Sequence, residues 1–261
     1  MRNLTEAIVL ENNAVAKNIY RMTLKCPEIS RSAQPGQFVN IYFSDRIRIF
    51  PRPFSVAGAT DEILTLIYRV VGAQTHQMAA WKDGQTVRIL GPLGNQFSVE
   101  SSVVSHVLVG GGVGVAPLMF LAEKFLQNGI DPLFFLGVKN RDEMPDAKLF
   151  GRLQTFYPSS DDGTTGFHGT AVDNFLSRLP QMGKPIVVYA CGPEKMNAAL
   201  ARLAEEYRFV CQISFERVMA CGLGLCQGCT VKKNSTDAEA GYLLVCKDGP
   251  VFRSEEVIFD D

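Results

Sequence analysis

An excess of charge of either sign is what this sequence most plainly lacks: 26 lysines and arginines stand against 27 aspartates and glutamates in 261 residues. A chain so balanced carries no electrostatic footprint for nucleic acid or for an anionic membrane surface. Histidine is scarce as well. His76, His106 and His168 are scattered, with no nucleophile or metal spacing between them, and nothing in the sequence suggests hydrolysis. No internal repeat and no low-complexity tract is present. The first twenty residues mix acids with short apolar runs, so the continuous apolar core of a secretory signal is missing and a cytoplasmic location is expected.

A long uninterrupted apolar span is also missing. Ser101 to Ala122 holds no Asp, Glu, Lys or Arg, but Gly110, Gly111, Gly112, Gly114 and Pro117 interrupt it. That pattern suits a buried strand, a tight turn and a helix start better than one membrane-spanning helix. An even cysteine count is absent too: there are seven, which in a cytosolic chain argues against a disulfide framework and for a metal or redox role where they cluster.

The length exceeds the usual single-domain size of roughly 100 to 150 residues, so more than one domain is expected. Residues 6–98 read as short β-rich runs (EAIVLENNAV, IYRMTLKC, GQFVNIYF, ILTLIYRVV, QTVRIL) separated by Pro, Gly and Asp, which predicts a small antiparallel barrel with one helix between Thr75 and Lys82. From Val103 the texture alternates between strands (HVLVG, DPLFFLGV, PIVVYAC, FVCQISFE) and helical segments (PLMFLAEKFLQNG, TAVDNFLSRL, PEKMNAALARLAEEY). This is the rhythm of a Rossmann-like parallel sheet with helices on both faces. After Glu216 the regular pattern stops, leaving a glycine-rich tail that needs a staple to fold. The expected fold is thus a β-barrel (1–100), an α/β unit (101–216) and a small C-terminal subdomain (217–261).

The tail carries the strongest motif. Cys221-Gly-Leu-Gly-Leu-Cys226-Gln-Gly-Cys229 is followed, after sixteen intervening residues, by Cys246. Four such thiolates can hold a [2Fe-2S] cluster or zinc; the C-x4-C-x2-C spacing is that of plant-type ferredoxins and favours iron–sulfur, whereas zinc sites more often use two C-x2-C pairs. Cys26 and Cys211 sit in apolar strand-like runs and read as small core residues.

In the barrel, Arg52-Pro53-Phe54-Ser55 and Ile67-Tyr68-Arg69, with Gln74-Thr75 at a helix start, make a plausible flavin dinucleotide site. A guanidinium suits bidentate phosphate contact, a helix start suits pyrophosphate, and a hydroxyl beside a flavin can hydrogen-bond its ring edge. In the α/β unit, Gly110-Gly-Gly-Val-Gly114-Val-Ala-Pro117 follows a strand and opens a helix, the context of a dinucleotide phosphate loop, although its register is not the standard G-x-G-x-x-G. Cys191, at the end of the strand PIVVYAC, points toward the same crevice and reads equally as a nicotinamide contact or as a buried structural thiol. Lys139-Asn-Arg141-Asp142-Glu143 offers both cations for a 2′-phosphate and acids for a ribose hydroxyl, leaving NAD and NADP unresolved.

With R-P-F-S, the G-G-G-V-G-V-A-P loop and C-G-P in this order, the first 215 residues resemble the ferredoxin–NADP reductase superfamily. The tail, from Glu216-Arg-Val-Met-Ala-Cys through Val-Cys246-Lys-Asp-Gly-Pro, is similar to that of electron-transfer subunits of NAD-dependent (class B) dihydroorotate dehydrogenases, and the resemblance covers essentially the whole chain. It implies FAD at Arg52, Pro53, Phe54, Ser55, Ile67, Tyr68 and Arg69, with Gln74 and Thr75 at its phosphates. It implies a [2Fe-2S] cluster on Cys221, Cys226, Cys229 and Cys246, and a nicotinamide site shaped by Gly111, Gly112, Gly114, Cys191 and Gly192, with Ser55 and Cys191 at the reacting atoms. Relatives usually carry Gly before the Thr, so Gln74 is a departure.

The resemblance further implies an FMN-containing catalytic dihydroorotate dehydrogenase partner, in a heterotetramer of two of each, working in pyrimidine biosynthesis with NAD as electron acceptor. No dihydroorotate-binding constellation is visible, so the chain alone is expected to oxidise NADH but not dihydroorotate. Competing readings are the flavin subunit of another reductase complex and a non-enzymatic, zinc-stapled binding module.

Overall fold

The computed structural model describes residues 3–43, 49–99, 105–234 and 241–259. The expected domain boundary at 100/101 lies outside these residues, as does Val103.

Six antiparallel strands close into a barrel: β1 (Asn3–Ala16), β2 (Ile19–Lys25), β3 (Phe38–Tyr42), β4 (Arg52–Ala59), β5 (Ile63–Arg69) and β6 (Thr86–Leu93), in the order β1-β2-β5-β4-β3-β6. Closure leaves no free sheet edge. The alternation of side chains decides the interior: Ala7, Val9, Met22, Leu24, Val39, Ile41, Leu64 and Leu66 are wholly buried, while Glu6 and Ile8 between them face out. One turn of helix, α1 (Pro27–Ser30), and the short α2 (Ala73–Ala79) cap the barrel. Two sequence expectations shift here. Helix α2 begins at Ala73 rather than Thr75, and the flavin motif itself forms a strand, β4, which Pro53 and Gly58 disguise as a loop.

The second unit is a seven-stranded sheet built from β7 (Ser105–Gly111), β8 (Leu133–Val138), β9 (Phe156–Ser160), β10 (Phe167–His168), β11 (Ile186–Cys191) and β12 (Val210–Ser214), ordered β10-β9-β8-β7-β11-β12 with one further strand at the edge. Helices α3 (Val115–Gln127), α4 (Ala171–Arg178) and α5 (Glu194–Tyr207) connect them. Central strands read as near-continuous apolar runs because both faces are covered. Phe134 and Phe135, on opposite faces of β8, are each fully buried, worth about 2 kcal/mol apiece.

The tail is less irregular than its composition suggests. It forms β13 (Thr230–Lys233), β14 (Tyr242–Leu244), β15 (Val251–Arg253) and β16 (Val257–Ile258), of which β14, β13 and β16 make a small sheet. β15 instead adds antiparallel to β12 as the seventh strand of the large sheet, so that sheet is mixed rather than purely parallel. One apolar core runs from Phe38 and Leu93 of the barrel through the large sheet to Cys229, Val231, Val245 and Cys246 of the tail. Cys26 and Cys211 are fully buried core residues. Among the described residues no helix is long and apolar enough to cross a membrane; the apolar stretch, from Ser105 onward, is β7, a tight turn and the start of α3.

Candidate functional site

Three features converge where barrel, sheet and tail meet. The first is a cleft of about 790 Å³ lined by Arg52, Pro53, Phe54, Ser55, Ile67, Tyr68, Arg69, Gln74 and Thr75, so all the sequence-predicted flavin residues share one wall. β4 and β5 are neighbours in the barrel and present their motifs side by side. Tyr68 is buried, and its hydroxyl donates to Asn12 Oδ1 at 2.9 Å; burial raises its pKa to about 12 against that hydrogen bond. It therefore offers the cleft an aromatic surface rather than a free hydroxyl. Thr75 Oγ1 is engaged as well, accepting from the Val71 and Gly72 amides at 3.0 and 3.1 Å. Ser55, by contrast, has no side-chain hydrogen bond among the described residues. Gln74 is 5% exposed and its buried Nε2 has no partner, a donor left over in the wall. An orphan donor and exposed Arg52 on a cleft of this size fit an anionic, acceptor-rich dinucleotide.

The second feature is a cleft of about 520 Å³ at the C-terminal ends of β7, β8 and β11, lined by Gly111, Gly112, Val113, Lys139, Glu143, Asp161, Gly192 and Pro193 among others. Ligands of open α/β sheets bind at this edge. A 3-10 turn, Gly112–Gly114, runs straight into α3, and its carbonyls accept the Val115 amide. The position of Gly114 is sterically closed: a Cβ there would run into the Cys191 carbonyl. Only glycine lets β11 and the α3 turn meet.

Cys191 itself is wholly buried behind this edge, and burial, with Glu216 nearby, pushes its thiol pKa well above the ordinary value. Its neighbour Gly192 forms the cleft wall. The 139–143 segment is partly spoken for: Asp142 pairs with Lys17 at 3.5 Å, Arg141 bonds Thr164, and Glu143 pairs with Arg69 at 3.0 Å. Lys139 and Glu143 remain on the cleft wall.

Sequence reasoning missed Glu216. It follows β12 at the same edge and, with Arg69, lines both clefts. Although part of its surface opens to the clefts, surrounding protein crowds the carboxyl and raises its pKa, with Arg69 pulling the other way. Its place follows from the β11–β12 register, Cys191 opposite Ser214, which the sequence alone does not give.

The third feature is the cysteine loop. The Leu223 amide donates to Cys221 Sγ at 3.3 Å, the Gly224 amide to Cys246 Sγ at 3.1 Å, and the Cys246 amide to Cys229 Sγ at 3.4 Å. The Cys226 amide reaches Cys221 Sγ as well, at 3.5 Å. Burial raises the Cys221 pKa, but the Cys226 and Leu223 amides more than offset it and bring the thiol down to about 6. Burial and the Cys229 sulfur push Cys246 up to about 12. Among the described residues no three His, Cys, Asp or Glu side chains form a group able to hold a metal ion. Amide donors aimed at the sulfurs of Cys221, Cys229 and Cys246 suit thiolates that serve as ligands of an iron–sulfur centre.

The loop is fastened to the barrel by two asparagines. Asn95 donates to the Asp248 and Val251 carbonyls at 3.0 and 2.7 Å and accepts from the Val251 amide at 2.9 Å. Asn40 Nδ2 donates to the Cys221 carbonyl at 3.0 Å.

Residues 216–258 match the family described as the iron-sulfur cluster binding domain of dihydroorotate dehydrogenase B. A similar protein from Fusobacterium nucleatum, the electron transfer subunit of dihydroorotate dehydrogenase B (NAD(+)), is 36% identical across 97% of this chain and 98% of its own length. Its counterpart in Caldanaerobacter subterraneus is 36% identical across 99% of this chain and 100% of its own length. Among solved structures, the NADH-dependent reduced ferredoxin-NADP oxidoreductase, studied for flavin-based electron bifurcation, superimposes with a TM-score of 0.84 at 27% identity, covering 97% of this chain and 90% of that one.

Barrel, sheet and cysteine tail together define an FAD/NAD reductase fold of the ferredoxin–NADP reductase superfamily with an appended iron–sulfur domain. Within that class, the chain belongs to the electron transfer subunits of NAD-dependent dihydroorotate dehydrogenase B, and it works with a catalytic dihydroorotate dehydrogenase subunit.

Proposed function

We propose that this chain carries FAD in the larger cleft, NAD in the smaller one and a [2Fe-2S] cluster on Cys221, Cys226, Cys229 and Cys246, serving an FMN-containing catalytic partner in a cytoplasmic heterotetramer of two of each. Residues 1–100, 101–216 and 217–261 are assigned to the three cofactors in that order. The cluster exchanges single electrons and the flavin exchanges one or two, which is what joins dihydroorotate oxidation on a partner to hydride transfer to NAD+. The observation that carries the reading is a loop of cysteines with backbone amides directed at their sulfurs, bonded to the barrel that bears the flavin motif.

The residues of this chain divide the work. Arg52 supplies a guanidinium and Gln74 an amide donor for the flavin's phosphates, replacing the backbone approach that glycine permits in relatives. Pro53, Phe54, Ile67 and Tyr68 exclude water from the ring, and Ser55 Oγ is the hydroxyl free to meet its edge. Gly111, Gly112, Gly114 and Gly192 admit the nicotinamide nucleotide. Cys191, kept protonated by burial, backs the nicotinamide cleft behind Gly192 rather than lining it. Arg69 and Glu216, shared by the clefts, hold opposite charges where the rings meet. Cys226 is exposed and its neighbour Leu225 is 79% exposed, so this cysteine and an apolar side chain face outward where a partner can dock.

The purified chain should show flavin bands over a broad iron–sulfur absorbance, with two irons and two acid-labile sulfides per flavin by chemical assay, the number the [2Fe-2S] assignment requires. A colourless, zinc-containing protein overturns the assignment. Turnover of dihydroorotate by the chain without its partner would equally sink the proposed division of labour.

A further inference from the structure

Asn40 is 1% exposed, yet its amide is only half satisfied: Nδ2 reaches the Cys221 carbonyl, 181 positions away in sequence, while Oδ1 is buried without a partner. Leaving a buried acceptor unpaired costs about 1 to 3 kcal/mol, and an apolar side chain of the same size would avoid that cost. The asparagine is therefore explained by its bond to the cysteine loop rather than by packing. Gly222, at φ +68°, presses directly against the same amide, so that any side chain there would collide with Asn40.

The strand places this contact beside the flavin motif. Asn40 lies opposite Pro53 and Phe38 opposite Ser55 in the β3–β4 register, and directly opposed residues share a face. Val39 and Ile41, between them, fill the barrel interior. Phe38 lines the larger cleft and also belongs to the apolar core that holds Cys229 and Cys246. The outward face of β3 is thus a wall common to the flavin cleft and the cysteine loop.

From this, resting on the cofactor assignment above, we infer that Asn40 is a positioning residue for electron exchange: its hydrogen bond to Cys221 fixes the cluster loop against the flavin wall, and Phe38 fills the space between. The bond joins a thiolate-bearing residue to the strand paired with the flavin motif, so breaking it changes both the separation of the two centres and the setting of one cluster ligand.

The test uses the holo-protein and two variants. Asn40→Leu removes the donor while relieving the orphan acceptor, so it should fold at least as well as the native chain; Asn40→Asp sets a carboxylate against the Cys221 carbonyl. Flavin reduction by NADH, followed by stopped flow, should stay unchanged in both. Appearance of the reduced-cluster EPR signal should slow by about fivefold in Asn40→Leu, the worth of one hydrogen bond, and further in Asn40→Asp. The g-values and midpoint potential of the cluster should shift in parallel, which a purely structural role would not produce. Variants matching the native chain in EPR spectrum, potential and transfer rate would overturn the inference alone. A native chain lacking iron or flavin would overturn the cofactor assignment together with it.

Discussion

Around the larger cleft the walls are strands and a helix whose side chains hold one another in place, as Tyr68 does with Asn12 and Thr75 with the start of α2. From Phe215 to Cys229, in contrast, the chain has no regular element, and around the cysteines backbone amides are directed at sulfur. The clefts are walled by side chains that satisfy one another, whereas the cysteine loop turns its amides toward sulfur. Disordering the loop should leave the cleft intact, and damage to the nucleotide edge should leave the cluster intact.

The largest effect should come from Cys229→Ser. This thiol is 2% exposed and joins the tail to the shared core, so its loss removes a cluster ligand and loosens the loop. Cluster absorbance should vanish while FAD stays stoichiometric and NADH still reduces it; concurrent loss of flavin would break the contrast. Next, Gly114→Val forces a side chain into the Cys191 carbonyl. NADH-driven flavin reduction should fall by about a hundredfold, or roughly 2.7 kcal/mol, with the EPR spectrum of the dithionite-reduced cluster unchanged.

The smallest effect concerns His106, buried in the large sheet beside Phe125 and Tyr189. Burial lowers its pKa below 6.5. The stability that depends on the neutral ring is fully present above 6.5 and is lost as the pH falls through the lower folded value, because the unfolded chain takes up the proton first. His106→Gln should flatten the acid side of the thermal stability profile, measured by calorimetry, without altering the cluster's spectrum.

Legibility in the sequence followed the range of the interactions. Cys221, Cys226 and Cys229 lie within one loop, and the glycine run between β7 and α3 is equally local, so both could be read directly. β4 was hidden because Pro53 and Gly58 signal a break, although on this strand they leave the barrel closed. β9 and β10, short and carrying Pro158 or only two residues, offered no period to detect. Asn40 and Asn95 could not be found at all: their partners in the tail lie 181 and 156 residues away, and neither neighbourhood marks them. Glu216 was visible as a residue but not as a member of two clefts, since that depends on the register of β12 with β11.

The antiparallel strand β15 has one further consequence, for the order in which the protein can be assembled. It pairs with β12, the strand before it in the large sheet, and Asn95, just beyond β6 of the barrel, bonds the adjoining turn. Such distant pairings close large loops, and their entropy must be met before the contacts can form. The cysteines can therefore be held in place only on a reductase that is already complete. The fourth thiol, Cys246, is the one that depends on this assembly, so a defective barrel or sheet is expected to cost the set its last member first.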